Sequence, residues 1–87
     1  MSVEEKFNKA QERVKNLTSR PSNEQLLDLY ALFKQGTVGD ATGKRPGMLD
    51  MKGRAKFDAW SKCKGTGKQE AMEKYVALVD GLVADLG

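Results

Sequence analysis

Tyr30, Phe33 and Lys34 stand at i, i+3 and i+4, the spacing that places side chains on one face of a helix. An aromatic pair beside a lysine offers a π surface for a flat ring and a cation for an anion. Lys52, Lys56 and Trp60 repeat the combination at i, i+4 and i+8. They begin where a loop turns into a helix, and unpaired N–H groups there also favour negative charge. Each cluster has a plainer reading, with the aromatics in the core and the lysines solvated beside them. Tyr75 can be packed or can present its hydroxyl, and spacing leaves both open. Charge adds a second signal. From Lys34 to Lys56, six cations (Lys34, Lys44, Arg45, Lys52, Arg54, Lys56) face two acids (Asp40, Asp50), in a chain whose total is only +3. The rest of the chain is slightly acidic, so a polyanionic partner is expected at this segment.

Other chemistries find little support. Histidine is absent, which removes the commonest general base and zinc ligand, and no enzyme activity, catalytic residue or metal site is expected. Gly39-x-x-x-Gly43-Lys44 is one residue short of a phosphate-cradling loop and is followed by Arg45 rather than Ser or Thr. Gly65-Thr66-Gly67-Lys68 lacks the first glycine at the needed distance, and neither fragment follows a strand. Asp40 and Asp50 lie in a loop and suit turn or capping roles better than acid–base work. Cys63, the single cysteine, reads as a small apolar residue with nothing to activate it. No apolar run approaches the roughly 20 residues that span a bilayer, and the N-terminus lacks the apolar segment of a secretory signal. One cysteine and no signal suggest a reducing, cytoplasmic setting.

Four helices must position these residues, and the 87 residues read as one domain, 1–87. Val3, Phe7, Ala10, Val14 and Leu17 form one stripe, ended by Thr18-Ser19-Arg20-Pro21. Ser22-x-x-Gln25 fits a capping box for the second helix, which carries Leu26, Leu27, Leu29, Tyr30, Leu32, Phe33 and extends toward Val38. That pattern is wider than a stripe, so contacts on two sides are expected. From Gly39 to Lys52, 14 residues lose periodicity and read as loop. A third helix is expected from near Gly53 to Cys63, ended by a left-handed Gly65. Thr66-x-x-Gln69 suggests a capping box for the last, with Met72, Tyr75, Val76, Val79, Leu82, Val83 and Leu86. No strand alternation appears, so the class is all-α. Short first and last connections predict antiparallel neighbours for helices one and two and for three and four. The long middle loop, reaching about 45 Å when extended, lets helices two and three run parallel.

The wording of the block goes further than its spacing. Tyr30-x-x-Phe33-Lys34-Gln35-Gly36-Thr37-Val38-Gly39-Asp40 resembles the Y-x-x-[YF]-K-Q-[AG]-T-x-G-D signature of acyl-CoA-binding proteins. Arg45-Pro46-Gly47-Met48-Leu49-Asp50 is similar to that family's R-P-G-[ML]-x-D run, and Lys56-Phe57-Asp58-Ala59-Trp60 and Lys64-Gly65-Thr66 match the segments that follow. The ordered motifs run from Phe7 to Tyr75 and resemble the family's small single-domain form. The resemblance implies a four-helix bundle of up-down-down-up topology with a long loop between helices 2 and 3. It implies a cytoplasmic, non-catalytic carrier of long-chain fatty acyl-CoA, monomeric by default and with no cofactor besides that ligand. Enzymes that produce or consume acyl-CoA are partners it allows.

Carried over by position, Tyr30, Lys34 and Lys56 would hold the 3′-phosphate of CoA. Phe33 and Tyr75 would lie around the nucleotide, and Lys15 and Arg20 at its basic periphery. Leu26, Leu27, Lys52 and Ala55 would line the acyl groove or its rim. Phe33 stands where tyrosine is frequent, Phe57 where tryptophan is, and Gln11 where a small residue is. Two alternatives from the residues alone are a small basic nucleic-acid-binding module and a protein-interaction helical module. The few cations and the acidic remainder weigh against nucleic acid.

Overall fold

The computed structural model describes residues 2–86. It contains α1 (Val3–Lys15), α2 (Asn23–Thr37), α3 (Met51–Ser61) and α4 (Lys68–Leu86), and no strand among the described residues. The all-α expectation holds.

Local chemistry explains the helix starts. Ser2 caps α1 by accepting from the Glu5 N–H at 3.1 Å. The capping box at α2 is complete: Ser22 Oγ accepts from the Gln25 N–H at 3.1 Å, and the Ser22 N–H donates to Gln25 Oε1 at 2.8 Å. Asp50 starts α3, its Oδ1 accepting from the Gly53 N–H at 3.0 Å. That places the start two residues before the glycine where periodicity resumes. The expected box at Thr66 is not the start of α4. The helix opens at Lys68, where the Ala71 N–H donates to Gly67 O, and the Thr66 carbonyl is used elsewhere. Val38 lies beyond α2 and is exposed. Gly65 does adopt the left-handed region, with φ of +92°.

Contacts along each pair give the directions. Val3 and Lys6 lie against Gln69 and Glu73, and Arg13 Nη1 meets Asp80 Oδ1 at 2.6 Å, so α1 and α4 run parallel. Gly36 faces Met72 while Leu27 and Leu78 share a groove, so α2 runs against α4. Leu26 lies beside Met51 and Lys34 beside Trp60, so α2 and α3 run together. This is an up-down-down-up bundle.

Lateral order differs from the expectation. Backbones approach closely only for α1 with α4, α4 with α2, and α2 with α3, so neither short-connected pair is adjacent. The result is a slab of 36 × 28 × 15 Å rather than a square bundle. Residues 16–22 and 62–67 link the short-connected pairs, long enough to step past a neighbour. α3 has no buried residue, so no second face draws it onto α4. α2 uses the two sides its broad pattern implies.

The core comprises Phe7, Ala10, Leu29, Tyr75, Val79 and Leu82, with Val14, Leu17, Leu26, Leu32, Phe33 and Met72 packed on it. Phe7 reaches across from α1 to α2, its ring 6.0 Å from Phe33, and meets Tyr75 edge-on at 5.0 Å. Gly36 permits close passage of α2 over α4. A Cβ there would sit 3.1 Å from Met72 Cγ and 3.5 Å from Phe7 Cζ. Arg13–Asp80 is solvent-exposed and adds at most about 1 kcal/mol.

Candidate functional site

The expected clusters on α2 and α3 converge on Tyr30. Lys34 Nζ lies 5.9 Å from the Tyr30 ring centroid and Lys56 Nζ lies 5.4 Å from it. Lys34 Nζ also lies 5.7 Å from the Trp60 ring. Two ammonium groups from parallel helices therefore share one aromatic ring, an arrangement suited to an anion beside a flat ring. Trp60 is half-buried and donates from Nε1 to Gly39 O at 2.7 Å. It is a wall of the site rather than the core anchor its size suggests.

Beside this centre runs a groove of about 520 Å³ lined by Arg20, Asn23, Leu26, Leu27, Met51, Lys52, Ala55 and Lys56. It has apolar walls and a cationic rim. Six of the expected residues meet there: Arg20, Leu26, Leu27, Lys52, Ala55 and Lys56. Tyr30 and Lys34 stand at the adjoining centre, whereas Phe33, Tyr75 and Lys15 are placed differently. Phe33 lies against Phe7, at the edge of the core. Tyr75 is in the core, 5% exposed, and burial raises its phenol pKa above the ordinary value. Lys15 is the exposed last residue of α1, outside the groove. Asn23 and Met51 were not singled out from the sequence. Their signal was helical spacing, Asn23 before Leu26 and Leu27, Met51 before Ala55.

A buried staple fixes α3 on α2. Gln35 is completely buried, and its Nε2 donates to Asp40 Oδ1 at 2.8 Å and to Thr66 O at 2.7 Å. The Gly65 N–H donates to the same Asp40 oxygen at 3.0 Å. With Trp60 held at Gly39, this fastens the end of α2 to the turn after α3. The register that brings Lys56 to Tyr30 follows. Arg45 adds a tie from the long loop, donating from Nε and Nη2 to the two Asp58 oxygens at 2.8 and 2.7 Å. That bond, chiefly, holds the Asp58 carboxyl below its ordinary pKa.

The Gly65 N–H first, and Gln35 second, hold Asp40 below the carboxylate value of 3.8. A lowered folded-state pKa means the ionised form stabilises the fold above about pH 4 and that this is lost as pH falls further. Asp40→Asn should therefore lower the urea midpoint at pH 6, with the gap to the wild type closing toward pH 2. A gap independent of pH would refute the role of the charge.

Comparison with known proteins agrees with this geometry. The sequence model of the family described as Acyl CoA binding protein matches residues 4–79. The chain belongs to the acyl-CoA-binding protein family. An acyl-CoA-binding protein homolog of Drosophila melanogaster is 54% identical over 82 residues, covering 94% of this chain and 95% of the relative. A homolog in Caenorhabditis elegans is 56% identical over 81 residues, covering 93% and 94%. The crystal structure of acyl-CoA-binding protein 2 from Oryza sativa superposes with a TM-score of 0.92 at 42% identity, covering 97% of this chain and 93% of that one. The family motifs lie where the geometry converges: the Tyr30–Asp40 segment supplies the central ring, Lys34 and the staple. The Lys56–Trp60 segment supplies the opposing wall.

Proposed function

We propose that this chain is a single-domain, non-catalytic carrier that binds long-chain fatty acyl-CoA thioesters, buffering and delivering them in the cytoplasm. The observation that carries it is the Tyr30 ring flanked by Lys34 and Lys56 beside an apolar groove. The two ammonium groups take the 3′-phosphate of CoA. The acyl chain lies along Leu26, Leu27 and Ala55, with Lys52 and Arg20 at the rim. Lys15, Phe33 and Tyr75 support the nucleotide end, Phe33 and Tyr75 through packing rather than open exposure.

Burying about eight methylenes contributes roughly 6 kcal/mol, and each charge-assisted bond to phosphate about 1.5–3 kcal/mol. Neither half of the ligand supplies both, so free CoA and free fatty acid bind more weakly than their thioester. Calorimetry with C8 to C20 acyl-CoAs, free CoA and free fatty acid tests this, with the recovered thioester assayed for cleavage. Expected are tight binding of intact long-chain thioester and weak binding of either fragment. Equal affinity for free CoA and the thioester would remove the acyl groove from the reading. The nucleic-acid alternative is disfavoured because the cations gather on one ring at an apolar groove instead of forming a stripe. Enzymes that make or use acyl-CoA are the expected protein partners of a monomer.

A further inference from the structure

The seam between α2 and α3 has two sides, and the groove beside Tyr30 occupies one of them. On the other lies a trough of about 610 Å³, with α2 as its floor and α3 and α4 as its walls. Its apolar lining includes Leu27 and Leu32 from α2, Ala59 from α3 and Leu78 from α4. The three leucines are half-buried, so each keeps apolar surface in contact with solvent. The trough follows from the lateral order of the helices. Both α3 and α4 approach the backbone of α2 but not one another, which leaves α2 open between them.

Charge separates the two sides. Leu27 and Ala55 line both hollows and so mark the seam. Arg20, Lys52 and Lys56 stand on the ligand side, whereas Glu24, Asp28 and Asp58 stand at the trough, joined by Lys62. Asp58 is already matched, by Arg45 through two hydrogen bonds and by nearby Lys62. Glu24 and Asp28 are exposed, and neither is in an ion pair among the described residues. They sit one turn apart on α2, where two like charges oppose the helix that carries them and an external cation relieves the repulsion.

We propose that this trough docks a basic amphipathic helix of a partner protein, its apolar stripe on Leu27, Leu32 and Leu78 and its cations at Glu24 and Asp28. A helix suits the surface because its backbone is satisfied internally, and the four helices offer no sheet edge to an extended peptide. From Glu24 to Leu32, α2 rises about 12 Å at 1.5 Å per residue, room for roughly two turns of a partner helix. An acidic segment would meet Glu24 and Asp28 uncompensated, even though the chain as a whole is +3 and attracts anions. Docking uses the side away from Tyr30 and Lys56, requires no acyl-CoA and is independent of the carrier reading.

The probe is a synthetic leucine–lysine peptide of about 14 residues with helical apolar spacing, beside its leucine–glutamate counterpart. Each is titrated into the full chain labelled with nitrogen-15. The lysine peptide should shift the amides of Asp28, Ala59, Lys62 and Leu78 and leave those of Tyr30 and Lys56 in place. It should bind at least about tenfold more tightly than the glutamate peptide, against the sign of the net charge. The double variant Glu24→Lys, Asp28→Lys should lose at least about tenfold in affinity for it, and Asp28→Asn part of that, with helical content unchanged. Equal affinity for the two peptides overturns the proposal, as do shifts centred on Tyr30 and Lys56 or undiminished binding by the double variant. A wild type that dimerises through Asp28 and Leu78 instead of taking the peptide also overturns it, because the trough then belongs to a second copy.

Discussion

Lys56→Ala is expected to weaken palmitoyl-CoA binding at least about tenfold, and Lys34→Ala to a similar extent. Each removes an ammonium from the Tyr30 ring, and a charge-assisted hydrogen bond to phosphate is worth about 1.5–3 kcal/mol against roughly 1.4 per factor of ten. The loss should be electrostatic in character, so raising the salt concentration should narrow the gap between wild type and variant. Stability should change little, within about 0.5 kcal/mol, because neither lysine side chain belongs to the core. Lys56→Arg should recover part of the affinity. Isothermal titration of the three variants beside thermal melts decides it. Unchanged affinity in both alanine variants would sink the assignment of the anion site, whatever the chain is found to bind.

The second large effect is on stability. Phe7→Ala should cost about 3–5 kcal/mol, the range for emptying a buried aromatic site. For a domain of this size that lowers the melting temperature by more than about 12 °C. Phe7 is 3% exposed and is the ring through which α1 meets α2, since the two backbones make no close approach. It also supports Tyr75 edge-on. Phe7→Leu should recover part of the loss. A melting temperature within a few degrees of wild type for the alanine variant would show that the slab is held elsewhere.

Local signals carried much of this architecture. Ser22 with Gln25 and the stripe from Val3 to Val14 could be read directly, because capping and helical periodicity depend on residues a few positions apart. Asp50, suited to a turn or capping role, is the cap itself, three residues before the glycine at which periodicity resumes. Chain direction was legible too, since loop length limits how far a helix can travel. Lateral order was not, because a connection of six or seven residues permits either a neighbour or a step past one. Thr66 has the residue pattern of a cap, yet its carbonyl is drawn to Gln35, a contact across 31 positions that no local window contains. Gln35 itself sits on a helix of ordinary polarity, and nothing in its spacing marks it as the most enclosed polar side chain.

The candidate site divides the same way. Tyr30, Lys34 and Lys56 were each more plausible as ordinary surface or core residues until the order of motifs joined them. The plainer reading of Trp60 places its ring in the core. Its half-exposed position follows from the Gly39 carbonyl, which holds the indole at the junction of α2 and α3. Asn23 and Met51 line the groove only because the two helices run parallel in one particular register, and that register is set by the distant staple.

The order α1, α4, α2, α3 has a consequence for how the chain is made. α2 and α3 can meet as soon as both have been synthesised. The first helix, by contrast, finds its main backbone partner only in the last. Arg13 waits for Asp80, and Thr18, whose hydroxyl donates to the Leu86 carbonyl at 2.6 Å, waits for the end of α4. A nascent chain on the ribosome therefore carries most of the apolar stripe of α1 uncovered, apart from the contact of Phe7 with Phe33, until α4 has emerged. Closing the core waits on the synthesis of α4, and a chain that stops before α4 leaves Phe7 without Tyr75 and α1 without its main backbone partner.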